Sequence, residues 1–254
     1  MKVIEVENFS VSYNGKKVVN DISFSIEQGC IVGFIGPNGA GKSTTITNIV
    51  GLQNNYSGTI KVFGKDIKKS PMYKKQIGYV PEECEVYELL TASEYLDFVG
   101  KLYSVDESTI KKRTVAIANA FSLDEKLHIR LAEYSKGMKQ KVIIMSALIH
   151  NPDILLLDEP LDGLDAQSIE IVKALLQELC KLGKTIVYSS HIMEIVEEVS
   201  DKLIIIHEGN IVEQGDTKEI THKNDSSLSA VFQKVTGTCN PIQEAQKIIA
   251  TLQD

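Results

Sequence analysis

The sequence predicts an α/β fold: a mostly parallel sheet core with an N-terminal antiparallel β subdomain and an inserted α-helical subdomain. Short apolar runs such as CIVGFIG (30–36) and ILLL (154–157) are typical of buried strands. Helical patterns follow both runs, and alternation of apolar strands with helices indicates a parallel sheet that is covered on both faces. A block over residues 91–150, which we expect to be helical throughout, interrupts this alternation.

The N-terminal 35 residues have the pattern of strands. Polar and apolar residues alternate roughly in VIEVENFSVSY and again in KVVNDISFSI, and Asn14-Gly15 between them is a strong hairpin signal. After the first apolar run and its helix, GTIKVFG and IGYV (77–80) also read as strands. The N-terminal segments predict the antiparallel subdomain, after which the chain re-enters the main sheet.

The C-terminal half returns to strand and helix alternation. DILLLDEP precedes a helix over 165–182, and TIVYSSH, a short helix and DKLIIIHEG follow. We therefore assign residues 1–221 to one main domain, with the helical subdomain at about 88–150. Residues 222–254 begin with a polar stretch and continue with one or two amphipathic helical patterns, which predicts a helical appendage.

Composition narrows the class of protein. The 254 residues carry a net charge of −7, which argues against a nucleic-acid or anionic membrane surface as the main partner. No apolar run approaches the roughly 18 residues of a bilayer span, and the N-terminus does not read as a signal peptide. Only two arginines are present, and the cysteines form no CxxC pair: Cys30, Cys84, Cys180 and Cys239. We expect a reduced cytosolic protein without a zinc site or disulfides.

The strongest motif is GPNGAGKS at 36–43, which fits G-x-x-x-x-G-K-[ST] between a buried strand and a helix. Glycines let backbone N–H groups curl around phosphates, Lys42 would reach the β- and γ-phosphates, and the Ser43 hydroxyl would hold Mg²⁺. The alternative is a chance glycine-rich turn. The predicted phosphate-binding residues are Asn38, Gly39, Ala40, Gly41, Lys42, Ser43 and Thr44.

ILLLDEP (154–160) is the expected companion of that loop. Its apolar residues carry the chain through the core and deliver Asp158 and Glu159 to the carboxyl edge of the sheet, where parallel sheets bind ligands. Asp158 would hold Mg²⁺, and Glu159 would polarise the attacking water. Taken alone, a strand that ends in Asp-Glu is usually a solvated strand end.

YSKGMKQK (134–141) opens a helix with three lysines and a glycine, whereas helix N-termini favour acidic residues. Such a start is reasonable if it faces an anion, because Ser135 can cap the helix and donate to a phosphate while Gly137 permits a close backbone approach. The lysines would raise the local potential. The alternative is a lysine-rich exposed turn.

In these motifs and their order, residues 1–221 resemble the nucleotide-binding subunits of ABC transporters. YSKGM occupies the place of the signature LSGGQ; Ser135 and Gly137 are retained, while Tyr134, Lys136 and Met138 are replacements. The resemblance implies a P-loop NTPase cassette with a RecA-like core. It also implies a head-to-tail dimer in which Ser135 and Gly137 of one subunit contact the γ-phosphate of ATP on the other.

The resemblance assigns three further residues. His191 matches the switch histidine that contacts the γ-phosphate and orients Glu159, although a lone histidine is more often structural. Asp165 in LDGLD (161–165) matches the D-loop and would meet the partner subunit, or would cap the next helix, and the two roles are compatible. Tyr13 matches the aromatic residue that stacks on adenine, and an ordinary strand tyrosine is the alternative.

One position departs from the family pattern. Where the family usually has a glutamine after an apolar strand, this chain has a glutamate, Glu82 or alternatively Glu83. A glutamate can still ligate Mg²⁺ through water but adds a negative charge near the phosphates. The segment that follows, the YSKGMKQK variant and LSAVFQKVTG near the end resemble the drug- and antibiotic-export branch.

The sequence therefore predicts an ATPase that binds and hydrolyses Mg-ATP in a homodimer, or in a heterodimer with a related subunit, and powers export through a separate membrane permease. It would be cytoplasmic and held on the inner face of the membrane by that permease, with no nucleic-acid partner. Two alternatives are a soluble ABC-type ATPase that acts on DNA or ribosomes, and a degenerate regulatory nucleotide binder.

Overall fold

A computed structural model describes residues 1–83, 85–223 and 227–237, together with 249 and 251. Ten strands lie within these residues: β1 Lys2–Tyr13, β2 Lys16–Glu27, β3 Ile31–Ile35, β4 Ser57–Val62, β5 Lys65–Asp66, β6 Ile77–Val80, β7 Ile154–Asp158, β8 Thr185–Ser189, β9 Lys202–His207 and β10 Asn210–Asp216. Eight helices accompany them: α1 Lys42–Val50, α2 Ala92–Leu102, α3 Glu107–Ala120, α4 Lys136–Leu148, α5 Ala166–Lys181, α6 Met193–Val199, α7 Thr217–Lys223 and α8 Leu228–Thr236.

The core is a six-stranded sheet in the order β10-β9-β3-β8-β7-β6. Its strands pair in parallel, except that β10 is antiparallel to β9. Every residue of β3, β7 and β8 is buried, as expected for central strands that helices cover on both faces. The predicted mostly parallel α/β core is confirmed.

The N-terminal strands form a second, antiparallel sheet in the order β2-β1-β4-β5. Asn14 and Gly15 connect β1 to β2 with φ values of 49° and 78°. Two consecutive positive φ values are what a two-residue hairpin of the favoured hand requires, and Asn-Gly adopts them at low cost. The predicted antiparallel subdomain is confirmed.

Helices α2, α3 and α4 form the helical block. Thr91 and Glu94 build a capping box at the start of α2, and Asp106 caps α3. The expectation of helix throughout 91–150 is wrong between α3 and α4, where residues 121–135 form only two short 3₁₀ turns. Backbone bonds there leave the helical pattern, because the N–H of Leu131 donates to the carbonyl of Leu90.

The last helices connect the tail to the core. Leu228 and Val231 of α8 are fully buried in the same apolar cluster as Val196 of α6, and the backbone N–H of Leu228 donates to the Glu197 carboxylate at 2.9 Å. The first described part of the predicted appendage therefore packs directly on the helix that follows His191. The rest of that appendage lies outside the described residues, apart from 249 and 251.

The parallel strands place the ends that carry the motifs at one edge of the sheet. Strands β3, β7 and β8 end there together, and six residues separate the end of β3 from the start of α1. None of the helices in the described part of the chain combines the length and hydrophobicity needed to cross a bilayer.

Candidate active site

A tight loop connects β3 to α1. A side chain at Gly36 would place its Cβ 2.3 Å from the carbonyl oxygen of Ile206, so only glycine fits there. Gly41, the N-cap of α1, has a φ of 109°, which favours glycine. Among the described residues no side chain caps this helix, and its first turn contains no acidic residue. Its positive end is therefore available to an anion.

Lys42 is buried beneath this loop. Its Nζ donates to the carbonyl oxygens of Gly36 at 2.8 Å and Pro37 at 3.2 Å, so the amine is satisfied by the loop itself. Burial lowers the pKa of Lys42, and the carboxylates of Glu159, Asp158 and Glu82 oppose that shift. An incoming phosphate can replace the two carbonyls as the partner of this amine.

A cleft of about 290 Å³ lies over the loop. Most of the predicted phosphate-binding residues line it, and Glu82 and Glu159 lie in its wall: the lining residues are Val18, Asn38, Gly39, Gly41, Lys42, Ser43, Thr44, Glu82 and Glu159. Ala40 is instead buried, and its carbonyl accepts from the N–H of Gly209 at 3.1 Å. Val18 of β2 was not predicted, because an apolar strand residue carries no sequence signal for such a role.

At one side of the cleft, Ser43 and Glu82 lie in the wall, and the carboxylate of Asp158 is buried behind Ser43. The Ser43 hydroxyl donates to Glu82 Oε2 at 3.2 Å, and Ser43 also interacts with the carboxylate of Asp158. Burial raises the pKa of Asp158, an effect that the hydrogen bond from Ser189 and the nearby Ser43 hydroxyl oppose. In the described chain no cluster of three or more histidine, cysteine or carboxylate side chains forms a metal cage. Mg²⁺ favours this sparser arrangement, because it takes few protein oxygens and completes its shell with phosphates and water.

Glu82, rather than Glu83, lies at the phosphate loop. Both residues are exposed, but Glu82 lies in the wall of the cleft and accepts from Ser43, whereas Glu83 is not among the described residues that line the cleft. The negative charge that distinguishes this chain therefore faces the phosphate loop.

Glu159 and His191 form a pair across the end of the sheet. The ring nitrogen Nδ1 of His191 lies 2.9 Å from Glu159 Oε2, and the His191 backbone N–H lies 3.3 Å from the same oxygen. The carboxylate is an acceptor when ionised, so Nδ1 carries the proton. The ring is largely exposed while the carboxylate is nearly covered. This arrangement fixes a carboxylate that faces the cleft.

Ser189 completes this group and was not singled out from the sequence. Its hydroxyl donates to Asp158 Oδ1 at 2.5 Å and accepts from the Glu159 backbone N–H at 3.0 Å. Asp158 and Ser189 are direct partners in the pairing of β7 with β8. The only sequence signal is that a polar residue ends the apolar run TIVYS next to the predicted switch histidine.

The YSKGM segment begins α4, as predicted. Ser135 is its N-cap and accepts from the backbone N–H of Met138 at 3.3 Å. A Cβ at Gly137 would lie 2.3 Å from the carbonyl oxygen of Gly163. The close backbone approach that the glycine permits is therefore made, within this chain, by the D-loop. Neither Ser135 nor Gly137 is among the described residues that line the chain's own cleft.

The three lysines of YSKGMKQK are each paired with a carboxylate, at 2.5 Å for Lys136–Asp162 and Lys139–Glu88 and 2.8 Å for Lys141–Asp165. Lys136 and Lys141 hold the pKa values of Asp162 and Asp165, respectively, below their usual range. Because each lysine has a nearby anionic partner, the expected rise in local positive potential is partly cancelled.

Asp165 and Tyr13 are not among the described residues that line the cleft. Asp165 caps α5 by accepting from the Ser168 backbone N–H at 2.9 Å, so the capping alternative is confirmed. Tyr13 ends β1 with 39% of its surface exposed, and its hydroxyl donates to Gln53. Tyr13 does not line the cleft among the described residues, so its contact with adenine stays a prediction.

Comparison with known proteins identifies the family. The model of the ABC transporter family matches residues 19–162. The chain is 42% identical over 219 residues to the ABC transporter ATP-binding protein NatA of Bacillus subtilis, covering 85% of this chain and 89% of the relative. It is 40% identical over 214 residues to the linearmycin resistance ATP-binding protein LnrL of the same organism, covering 84% and 69%.

A solved structure of an ATP-binding subunit of an ABC transporter has the same fold. It aligns with a TM-score of 0.87 at 33% identity and covers 92% of this chain and 99% of that one. The chain therefore belongs to the ABC transporter family, as a subunit that binds Mg²⁺ and ATP and acts as an ATPase.

Proposed function

We propose that this chain hydrolyses ATP at a site shared between two cassettes and thereby drives a separate permease that exports its substrate. The observation that carries the proposal is the Glu159 carboxylate, which His191 holds at 2.9 Å in the wall of the cleft that also contains Lys42 and Ser43. A fixed carboxylate beside a phosphate cradle is what the attack of water on a γ-phosphate requires.

Each side chain then has a role. The loop amides and Lys42 would bind the phosphates, and Ser43, Asp158 and Glu82 would hold the metal. Glu159 polarises the attacking water, and His191 orients that carboxylate. Mg²⁺ bound there would neutralise charge that develops on the phosphate oxygens.

The second half of the site would come from another cassette. Ser135 and Gly137 begin α4, whose first turn contains no acidic residue among the described residues, and neither lines the chain's own cleft. A helix N-terminus that is suited to an anion but does not line the chain's own cleft fits the head-to-tail arrangement. The partner is either a second copy of this chain or a related subunit, and Asp165 would face whichever one binds.

The permease would contact the loop after Glu82. Exposed aromatic side chains cluster there and on α2: Tyr87, 63% exposed, packs its ring 5.8 Å from Phe98 and 6.3 Å from Tyr95, and Leu89 is 80% exposed. Adjacent exposed apolar side chains mark interaction surfaces, because removing apolar surface from water is favourable. Through this contact the cytoplasmic subunit would be held on the inner face of the membrane.

This loop also contacts both the phosphate cleft of its own chain and the N-terminal part of α4. At one end Glu82 accepts from Ser43 in the cleft. Farther along, Glu88 pairs with Lys139 of α4, and its carbonyl accepts from the Ala132 N–H at 3.0 Å. A permease that moves the loop would therefore move the metal side of one site and the α4 terminus of the other. The linearmycin resistance relative supports export as the direction of transport.

Site-specific crosslinking tests the permease contact. Tyr87→Cys in the subunit co-purified with its permease should crosslink in the membrane fraction. Leu182→Cys, at the exposed end of α5, serves as the matched control. Crosslinks from position 182 without any from position 87 would contradict the assignment.

A further inference from the structure

We propose that Ser189 is a positioning residue that uses one hydroxyl to orient both Asp158 and Glu159. The inference rests on the roles proposed above for those two carboxylates. Ser189 lies outside the motifs. It ends β8, whereas the phosphate loop follows β3 and the two carboxylates stand at the end of β7.

The geometry leaves the hydroxyl a single arrangement. Ser189 is fully buried, and its Oγ accepts from the Glu159 N–H at 3.0 Å. Its only proton is therefore directed to Asp158 Oδ1, 2.5 Å away. The backbone explains why, since Asp158 and Ser189 are paired across β7 and β8.

The consequence for Asp158 is that one of its oxygens is already engaged. With Oδ1 held by Ser189, the carboxylate cannot rotate without breaking a buried hydrogen bond. The other oxygen of Asp158 is therefore directed towards Ser43. This is the side on which the metal would bind. Hydrogen-bonded partners of ligating carboxylates commonly set ligand orientation in this way.

The consequence for Glu159 concerns its backbone. Glu159 has a φ of 48°, in the left-handed region that non-glycine residues seldom adopt. The bond from its N–H to Ser189 holds this peptide in place, while its side chain is held by His191. One residue thus fixes the turn that separates the metal-binding carboxylate from the carboxylate that polarises water.

The test compares Ser189→Ala with Ser189→Cys, which keeps the size of the side chain but offers only a weak S–H donor. Thr185→Val is the matched control, because it removes a fully buried hydroxyl from the other end of β8 that accepts from the Gly29 N–H at 3.0 Å. For each protein, kcat and KM for ATP, the melting temperature, and the affinity for ADP with and without Mg²⁺ are measured.

Both Ser189 variants should lose about 10- to 100-fold in kcat, with a comparable loss of the Mg²⁺-dependent gain in ADP affinity. Their affinity for ADP without metal should remain within about twofold of wild type, since the phosphate loop is untouched. Ser189 variants that match Thr185→Val in kcat and in metal-dependent ADP affinity would overturn the proposal. Ser189 variants that bind ADP poorly without metal and also melt at a lower temperature would overturn it as well. A wild-type chain without ATPase activity would instead overturn the proposed function.

Discussion

His191 Nδ1 lies 2.9 Å from Glu159 Oε2, and the backbone N–H of His191 approaches the same oxygen. Two donors from one residue fix the carboxylate, so the two side chains act as a unit. His191→Ala should therefore lower kcat by about a hundredfold or more with little change in KM, because a positioned base contributes on that scale. His128→Ala, at an exposed histidine of the helical block, is the control for steady-state kinetics. A kcat close to wild type in His191→Ala would contradict the assignment.

Ser135→Arg should leave ATP binding to the isolated subunit nearly unchanged and abolish turnover, because the new side chain would obstruct the partner's ATP rather than the chain's own cleft. Binding by calorimetry and turnover by phosphate release measure the two effects separately. Ser227→Arg makes the same substitution at the N-cap of α8 and controls for loss of a cap. Equal loss of binding and turnover in Ser135→Arg would argue against a shared site.

Glu82→Gln removes a carboxylate that accepts from Ser43 in the cleft. Because a negative charge there repels the phosphates, metal-free ATP should bind severalfold more tightly to the variant, and the additional affinity conferred by Mg²⁺ should shrink. Titrations with and without Mg²⁺ measure both terms.

The control for that experiment is Glu83→Gln, which makes the same charge change at an exposed neighbour. If both variants shift ATP affinity equally, the overall change in charge explains the effect, and the assignment of Glu82 to the metal site is contradicted.

Tyr13→Ala should weaken ATP and GTP alike by a modest factor if the ring stacks on the base, since stacking depends little on base identity. Tyr13→Phe keeps the ring and removes only the hydroxyl bond to Gln53. Fluorescent-nucleotide binding should therefore rank Phe close to wild type and Ala below both. An unchanged affinity in Tyr13→Ala would make Tyr13 an ordinary strand residue.

Asp165 gives the stability of the chain an acid-dependent component. Lys141 and the capped N–H of Ser168 depress its pKa in the folded state, so the ionised carboxylate stabilises the fold above about pH 4 and that contribution is lost as pH falls further. Asp165→Asn can still cap the helix but cannot titrate. Urea unfolding should show wild type more stable at pH 7 and the gap narrowing below about pH 4. A gap independent of pH would contradict this origin.

Much of this arrangement is predictable from local sequence. The glycine loop, the strand that ends in Asp158-Glu159 and the Asn14-Gly15 hairpin each depend on a few adjacent residues with strong backbone preferences, and the structure contains each element as expected. Helix boundaries near Asp165 and Ser135 also follow from their capping chemistry.

What the sequence does not reveal depends on contacts between distant segments. The hydroxyl of Ser189 matters only because strand pairing places it beside Asp158, and the need for glycine at 137 arises from the carbonyl of Gly163. Likewise, the charges of Lys136 and Lys141 suggest a positive surface until the fold brings Asp162 and Asp165 to meet them. Local patterns do not encode these partners.

The most direct test is the solution mass of Glu159→Gln by light scattering, with and without Mg-ATP. Without the carboxylate that polarises water, ATP should persist and the closed state should accumulate. The account predicts a monomer that becomes a dimer only with Mg-ATP and remains monomeric when Ser135→Arg is added. An ATP-bound chain that stays monomeric, or a dimer that Ser135→Arg does not weaken, would contradict a site shared between two copies of this chain.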